Sequence, residues 1–377
     1  FQAEDGIRDA QESRGLGDVY KRQKNGKVDG LSTWWHENGQ KRSEIIRKDD
    51  ILVSQTQYAY NDNSQILSIK NYSGLPTDEN LVSQTQYSYY ENGQKAYEEN
   101  FKDGEFNGKQ TWWHENSQKW TEVNYKEGKL DGKDTTWYKN GEKEYEFNFK
   151  DGKSHGIHTS WSEDGQKEKE EVWENDEEVK STEWDENGQI RVEEYYKNGK
   201  YDGIQTQWDE TGQIQFESTY KDGKLDGKDT TWYKNGQIHG DLTYKNGKLN
   251  GENFSWYENG QKESQETYKD GMLNGKLFEW YENGQIKSET ERKDDQLIGN
   301  FTTWYENGEK SSEVINIGAP EGTSIKHVGW HDNGFKKFEG NYKDNKKDGK
   351  WTWWFNFGPI KKESNWNDGK CVSGDCD

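Results

Sequence analysis

A chain of 377 residues has room for two or three globular domains, yet Leu, Ile, Val and Phe together supply only 54 of them, too few for aliphatic cores of ordinary size. The 19 Trp and 22 Tyr against only 3 Pro exclude a disordered chain just as firmly, since such chains are poor in aromatics. A formal charge of −21 argues against nucleic acid and disfavours membrane lipid, because Lys and Glu alternate with no basic patch to meet a polyanion.

In chain order, residues 1–23 come first and stand apart. The stretch from Phe1 to Gln23 shares neither period nor composition with the remainder of the chain and resembles a translated sequencing adapter, so it is not counted toward the fold. The native start is then expected to be missing, and a signal peptide or lipid-attachment site with it. Cell envelope and cytoplasm both stay open.

Residues 24–370 repeat a unit of about 24 residues. The marker is the Gly of a Glu-Asn-Gly-Gln tetrad, at Gly39, Gly93, Gly141, Gly165, Gly188, Gly212, Gly236, Gly260, Gly284, Gly308, Gly334 and Gly358, with Ser64 and Ser117 in the two gaps. That makes about fourteen units, too regular for chance. Four residues before each marker stands an aromatic: Trp35, Tyr60 and Tyr89, then Trp113, Trp137, Trp161, Trp184, Trp208, Trp232, Trp256, Trp280 and Trp304, then Trp330 and Trp354. Eight residues after it most units carry a second aromatic, such as Phe101, Tyr125, Phe149, Tyr196, Tyr220, Tyr244 and Tyr268.

Each unit reads as a strand, an Asn-Gly turn, a strand and an Asp-Gly turn, which is a β-hairpin repeat. A three-residue loop with Gly141 left-handed pairs Trp137 with the residue two beyond the glycine; this register is expected to put Trp137 and Phe149 on one face. Ile190, Ile214, Ile238 and Ile286 then join that face, with Lys and Glu turned to water. The expected fold is all-β: an elongated, single-layer stack of about fourteen antiparallel β-hairpin repeats around a structural aromatic ladder, Trp113 to Trp304. Fully stacked, it would run on the order of 130 Å.

The unit from Trp256-Tyr257-Glu258-Asn259-Gly260-Gln261 to Tyr268-Lys269-Asp270-Gly271, repeated from Trp280 to Gly284, resembles the MORN-repeat variant found in tandem in bacterial proteins. That resemblance implies stacked hairpins and a role in protein association or membrane-proximal scaffolding; some relatives are labelled antitoxins. The region from about Ser43 to Asp103, and the insertion from Ile315 to Gly322, depart from the pattern.

Residues 371–377 form a tail with two cysteines, Cys371 and Cys376, for which a disulfide, free thiols and a dimerising contact all stay open. Along the whole chain no apolar run approaches the roughly 18 residues of a membrane span.

Chemistry finds little footing. His36, His114 and His331 fill the slot that holds Tyr in other units, and His155 with His158 lacks the third ligand of a zinc site. Asp103, Asp151, Asp222 and Asp270 are explained by turn geometry. No nucleophile elbow, phosphate loop or dinucleotide fingerprint occurs, so no catalytic residue, metal or cofactor is assigned. The expectation is a non-enzymatic scaffold that binds an unknown protein partner through an extended, acidic, aromatic-rich β surface. Its candidate contacts are Tyr138, Tyr233, Tyr257, Tyr281 and Tyr305. A cell-surface site for glycan or a choline-type ligand, and an antitoxin that neutralises a partner toxin, are the two alternatives.

Overall fold

Two kinds of turn, both written in the sequence, set the strands. The computed structural model describes residues 23–24, 26–317 and 324–376; the adapter-like stretch, Gln23 apart, and most of the insertion after Ile317 lie outside them. At Asp151-Gly152 both residues have positive φ, 51° and 84°, and Lys150 pairs with Lys153 across them. That is the type I′ turn, whose twist matches the flanking strands. At the other end Tyr138 N–H donates to the Glu142 carbonyl at 2.9 Å, and Gly141 N–H returns to the Tyr138 carbonyl at 3.0 Å. Gly141 sits at φ 94°, so the loop has three residues with a left-handed glycine, as its sequence indicates.

The register confirms one expectation and corrects another. Trp137 pairs with Lys143, but the next pair is Thr136 with Tyr145, so Glu144 is an extra residue and forms a second bulge. A single inserted residue reverses the phase of everything beyond it. Phe149 pairs with Gly132, on the face of Thr136 and Tyr145, and Trp137 lies on the opposite face. The two aromatic series therefore form two ladders on two faces. The same shift occurs beside Trp113, Trp161, Trp208, Trp232, Trp256 and Trp280.

Strands follow one another antiparallel in chain order within each of two compact units, 1–179 and 180–377. The architecture is all-β, with no α-helix among the described residues and a single 3-10 turn, Asp78–Asn80. In the first unit that turn sits in the irregular region, between strands Ile66–Tyr72 and Leu81–Tyr89. The second unit ends with Lys370–Gly374 paired to Ile360–Asn367, where Cys371 and Cys376 are joined in a disulfide.

Burial is mostly polar. On the tryptophan face the innermost residues are threonines such as Thr111, Thr135, Thr159 and Thr206. On the other face Gln110 and Gln205 are buried. There Gln205 Oε1 accepts Tyr195 N–H at 3.0 Å and its Nε2 donates to the Tyr195 carbonyl at 2.9 Å. A side-chain amide thus supplies the hydrogen bonds that the interrupted strand ladder lacks there. On this face the second aromatic series is interleaved with a residue from each following strand: the ring centroids of Tyr196, Tyr201 and Tyr220 lie 5.2 and 5.3 Å apart in succession. Leucine takes Tyr201's place in the next pairs, Tyr220 with Leu225 and Tyr244 with Leu249.

Glycine is required opposite these rings. Gly227 pairs with Tyr244 at φ 136°, and a Cβ there would stand 2.8 Å from the Thr219 Cβ. Gly227→Ala is expected to cost about 2 kcal/mol of local stability. Faster native-state amide exchange across Lys224–Lys245 would report it; unchanged exchange would contradict the strain.

Candidate functional site: the stapled ladder

The side chain following each tryptophan decides how one hairpin holds the next. The Tyr138 hydroxyl donates to the main-chain carbonyl of Trp161 at 2.9 Å. Tyr233, Tyr257, Tyr281 and Tyr305 donate at 2.8 Å to the carbonyls of Trp256, Trp280, Trp304 and Trp330. All five candidate tyrosines thus sit half-buried along the loop edge with the hydroxyl committed to the following repeat. Histidine reaches less well in the same slot. His331 Nε2 is 3.4 Å from the Trp354 carbonyl oxygen, and His114 Nε2 is buried with no hydrogen-bond partner.

Two residues along the loop, asparagine adds a second staple. Asn140 Nδ2 donates to the Glu163 carbonyl at 2.7 Å while its Oδ1 accepts Glu142 N–H at 2.9 Å. Asn235, Asn259, Asn283 and Asn307 repeat the outward bond. At the opposite edge, aspartates that precede the second glycine of the repeat are used in turn closure: Asp131 accepts Asp151 N–H and Asp202 accepts Asp222 N–H. These acids hold main-chain donors, and the described residues contain no cluster of three or more His, Cys, Asp or Glu side chains placed to hold a metal ion. His158 Nε2 lies 2.9 Å from the Asn148 carbonyl oxygen, and its ring packs with Phe147, Phe149 and Trp173.

The tryptophan face carries an ionic pattern at fixed offsets. Lys143 pairs with Trp137 in its own hairpin, lies 5.3 Å from the ring of Trp161 in the next, and bridges Glu146. Lys133, from the strand opposite, bridges the same carboxylate. Glu122 is held likewise by Lys109 and Lys119, and Glu339 by Lys326 at 2.6 Å and Lys336. Hydrogen bonds from Lys326 and Lys336 hold the Glu339 carboxyl below the usual range; those from Lys41 and then Tyr58 do the same for Glu44.

The aromatic ladder assigned from sequence splits by its neighbours. Lysine lies over Trp113, Trp137, Trp161 and Trp280. From Trp184 to Trp232 the slot paired with tryptophan is isoleucine: Trp184 pairs with Ile190, Trp208 with Ile214 and Trp232 with Ile238. Trp256 pairs with Lys262, whereas Trp280, in the hairpin before Trp304, pairs with Ile286. The lysine and glutamate slots escaped the sequence reading, although their constant offsets from each marker glycine were the available signal. A depression in the first unit, lined by Trp34, His36, Arg42, Ser43, Ile45, Gln55, Gln57 and Tyr58, contains neither carboxylate nor cysteine.

A fold made of successive antiparallel hairpins, many of them bonded to the next by the same tyrosine and asparagine side chains, defines a tandem β-hairpin repeat scaffold. The MORN repeat variant profile matches residues 28–49, 85–103, 106–127, 177–198, 201–222, 225–246, 249–270 and 273–294, and the chain belongs to that family. No curated protein matches it. Among solved structures, the crystal structure of TcdB2-TccC3 aligns at 10% identity over 96% of this chain and 24% of its own, with a TM-score of 0.18. A Photorhabdus luminescens Tc holotoxin pore aligns at 11% identity over 95% and 22%, with the same TM-score. This chain therefore spans about a quarter of the length of those matches, and at that TM-score the likeness carries no argument.

Staples and clamps can be tested separately. Tyr257→Phe keeps the ring and removes one cross-repeat hydrogen bond, and is expected to lower stability by about 1 kcal/mol in denaturant unfolding. An unchanged midpoint would show the bond to be idle. The clamped carboxylates have folded pKa values below their unfolded ones, so their contribution is complete above about pH 4.5 and is lost as pH falls through the depressed values. Tm is expected to be flat from neutral pH to about 5 and then to drop, with Glu339→Gln making the drop shallower. A drop as steep as in the parent would remove Glu339 from the account.

Proposed function

We propose that this chain is a non-enzymatic scaffold that binds a protein partner along its tryptophan face and the adjoining loop edge. The observation that carries the reading is the regular alternation of indole, ammonium and carboxylate groups on that face, held in register by the loop staples. Such a surface offers many modest contacts in fixed order, and repeat proteins bind through surfaces of this kind. The candidate tyrosines contribute ring edges, since their hydroxyls are already spent. Net charge of −21 calls for a basic partner.

Lysine ammonium groups over Trp113, Trp137, Trp161 and Trp280 weigh against the choline-type alternative, because those ring faces already hold a cation. The antitoxin alternative is a special case of partner binding and needs a basic toxin.

Chemical cross-linking of the full chain in its source cells, with mapping of the joined peptides, tests the reading. A partner cross-linked at lysines of the tryptophan face, whose complex without cross-linker dissociates as salt rises above about 0.5 M and persists with Tyr257→Phe, is the expected result. Absence of any partner, together with Tyr257→Ser and Tyr281→Ser altering stability alone, would overturn it.

A further inference from the structure

In one repeat a carboxylate of the ionic pattern lacks its lysine. Every other acidic residue of the Glu146 slot has a lysine: Glu44 with Lys41, Glu98 with Lys95, Glu170 with Lys167, Glu193 with Lys180, Asp241 with Lys228, Glu289 with Lys276, Glu313 with Lys310 and Glu363 with Lys350, besides the doubly clamped Glu122, Glu146 and Glu339. Glu217 has none among the described residues. Both positions that supply lysine to Glu146, namely Lys133 and Lys143, are isoleucine here: Ile204, paired with Thr219, and Ile214, paired with Trp208. Ile204 is 46% exposed, and the neighbouring Ile190 and Ile238 are 38% and 40% exposed.

Glu217 lies between Thr206 and Thr230 in the cross-strand row. The next carboxylates along that row, on Glu193 and Asp241, are two strands away on either side, about 10 Å, and both are engaged by their own lysines. A half-exposed carboxylate is thus set among isoleucine and tryptophan side chains, with an ion pair beyond it in each direction, Glu193 with Lys180 and Asp241 with Lys228. The site attracts a cation that the described residues do not supply, and its surroundings reward apolar groups flanking that cation.

We propose that this repeat is the recognition point for a partner protein segment that presents a lysine or arginine between apolar side chains, so that the partner supplies in trans the cation that neighbouring repeats hold in cis. This rests on the scaffold reading and names the point of contact within it.

The test uses the full chain and fluorescein-labelled nonapeptides of alternating apolar and polar residues, with lysine, arginine, glutamine or glutamate at the centre. Lysine and arginine peptides are expected to bind about tenfold or more tightly than the glutamine and glutamate ones, with the preference fading as salt rises. Glu217→Gln, and separately Ile204→Lys with Ile214→Lys, are expected to weaken the cationic peptides about tenfold. The lysine variants rebuild the clamp of Glu146, so their Tm is expected to equal or exceed that of the parent, which separates lost binding from lost folding.

Equal binding of cationic and neutral peptides, indifference to the three substitutions, or no binding below about 1 mM would each overturn the site. The scaffold reading fails on different ground. A cross-linked partner contacting only repeats outside Gly203–Lys221 sinks this site and leaves the scaffold standing, whereas the absence of any partner sinks the scaffold itself.

Discussion

The structure depends on a side chain in one loop reaching the main chain of the next, 23 residues on. Without an aliphatic core, a hairpin of eight-residue strands cannot hold itself together in water. Tyrosine and asparagine solve this from opposite ends of the loop: each turns a main-chain carbonyl that would face solvent into an acceptor for the preceding repeat. A hydrogen bond of this kind contributes about 1 kcal/mol, so no single staple is decisive. Repetition makes the contributions cooperative, because a repeat such as that of Tyr257 donates to its successor and accepts from its predecessor, so that its geometry is fixed from both sides. The offset also explains the period. Tyr305 spans 25 residues to Trp330 and still makes the same bond at 2.8 Å.

Bulges give the two faces different chemistry. Were the strands regular beyond the loop, Trp137 and Phe149 would crowd one side, and Glu146 would turn to the other, away from Lys133, Thr135 and Lys143. The extra residue at Glu144 sends the two rings apart. Indole, threonine, lysine and glutamate share one face; the interleaved tyrosine, phenylalanine and leucine share the other with buried glutamine. Small polar residues at the centre of both faces are tolerable where their hydrogen-bonding groups have partners at hand, as Gln205 has in Tyr195. Lysine stems lie over the tryptophan rings, so a thin sheet gains apolar coverage without a second layer.

Much of this is legible in the sequence, and for specific reasons. Asn140-Gly141 and Asp151-Gly152 announce their turns because few other residues take positive φ, and the tryptophan spacing fixes the repeat. The loop register at Trp137 and the place of Ile214 beside Trp208 follow from the turn alone. The second bulge does not. Glu144 is an ordinary residue in an ordinary strand, and only the pairing of its neighbours shows that it is extra, so the turn by itself puts the phase beyond it one residue out. The role of the candidate tyrosines is equally hidden, since a ring beside tryptophan looks alike whether its hydroxyl meets solvent or the following repeat. The lysine clamps are visible as offsets but have no meaning until the faces are separated.

Separating staples from clamps divides stability from surface chemistry. Exposed ion pairs contribute from nothing to about 1 kcal/mol, so exchanging Lys for Ile at the positions of Ile204 or Ile214 changes the face far more than it changes the fold. The staples lie on the loop edge and are untouched by such exchanges. Asp209 illustrates the division from the other side. It occupies the tyrosine slot in the repeat of Glu217 and accepts the main-chain N–H groups of Thr211 and Gln213, so the loop is closed internally while its outward bond is given up. Positions facing the solvent on the tryptophan side are free to diverge from repeat to repeat as long as the Asn-Gly loops and the glycines opposite the rings persist. A chain built this way carries different surface chemistry in different repeats on one unchanging frame.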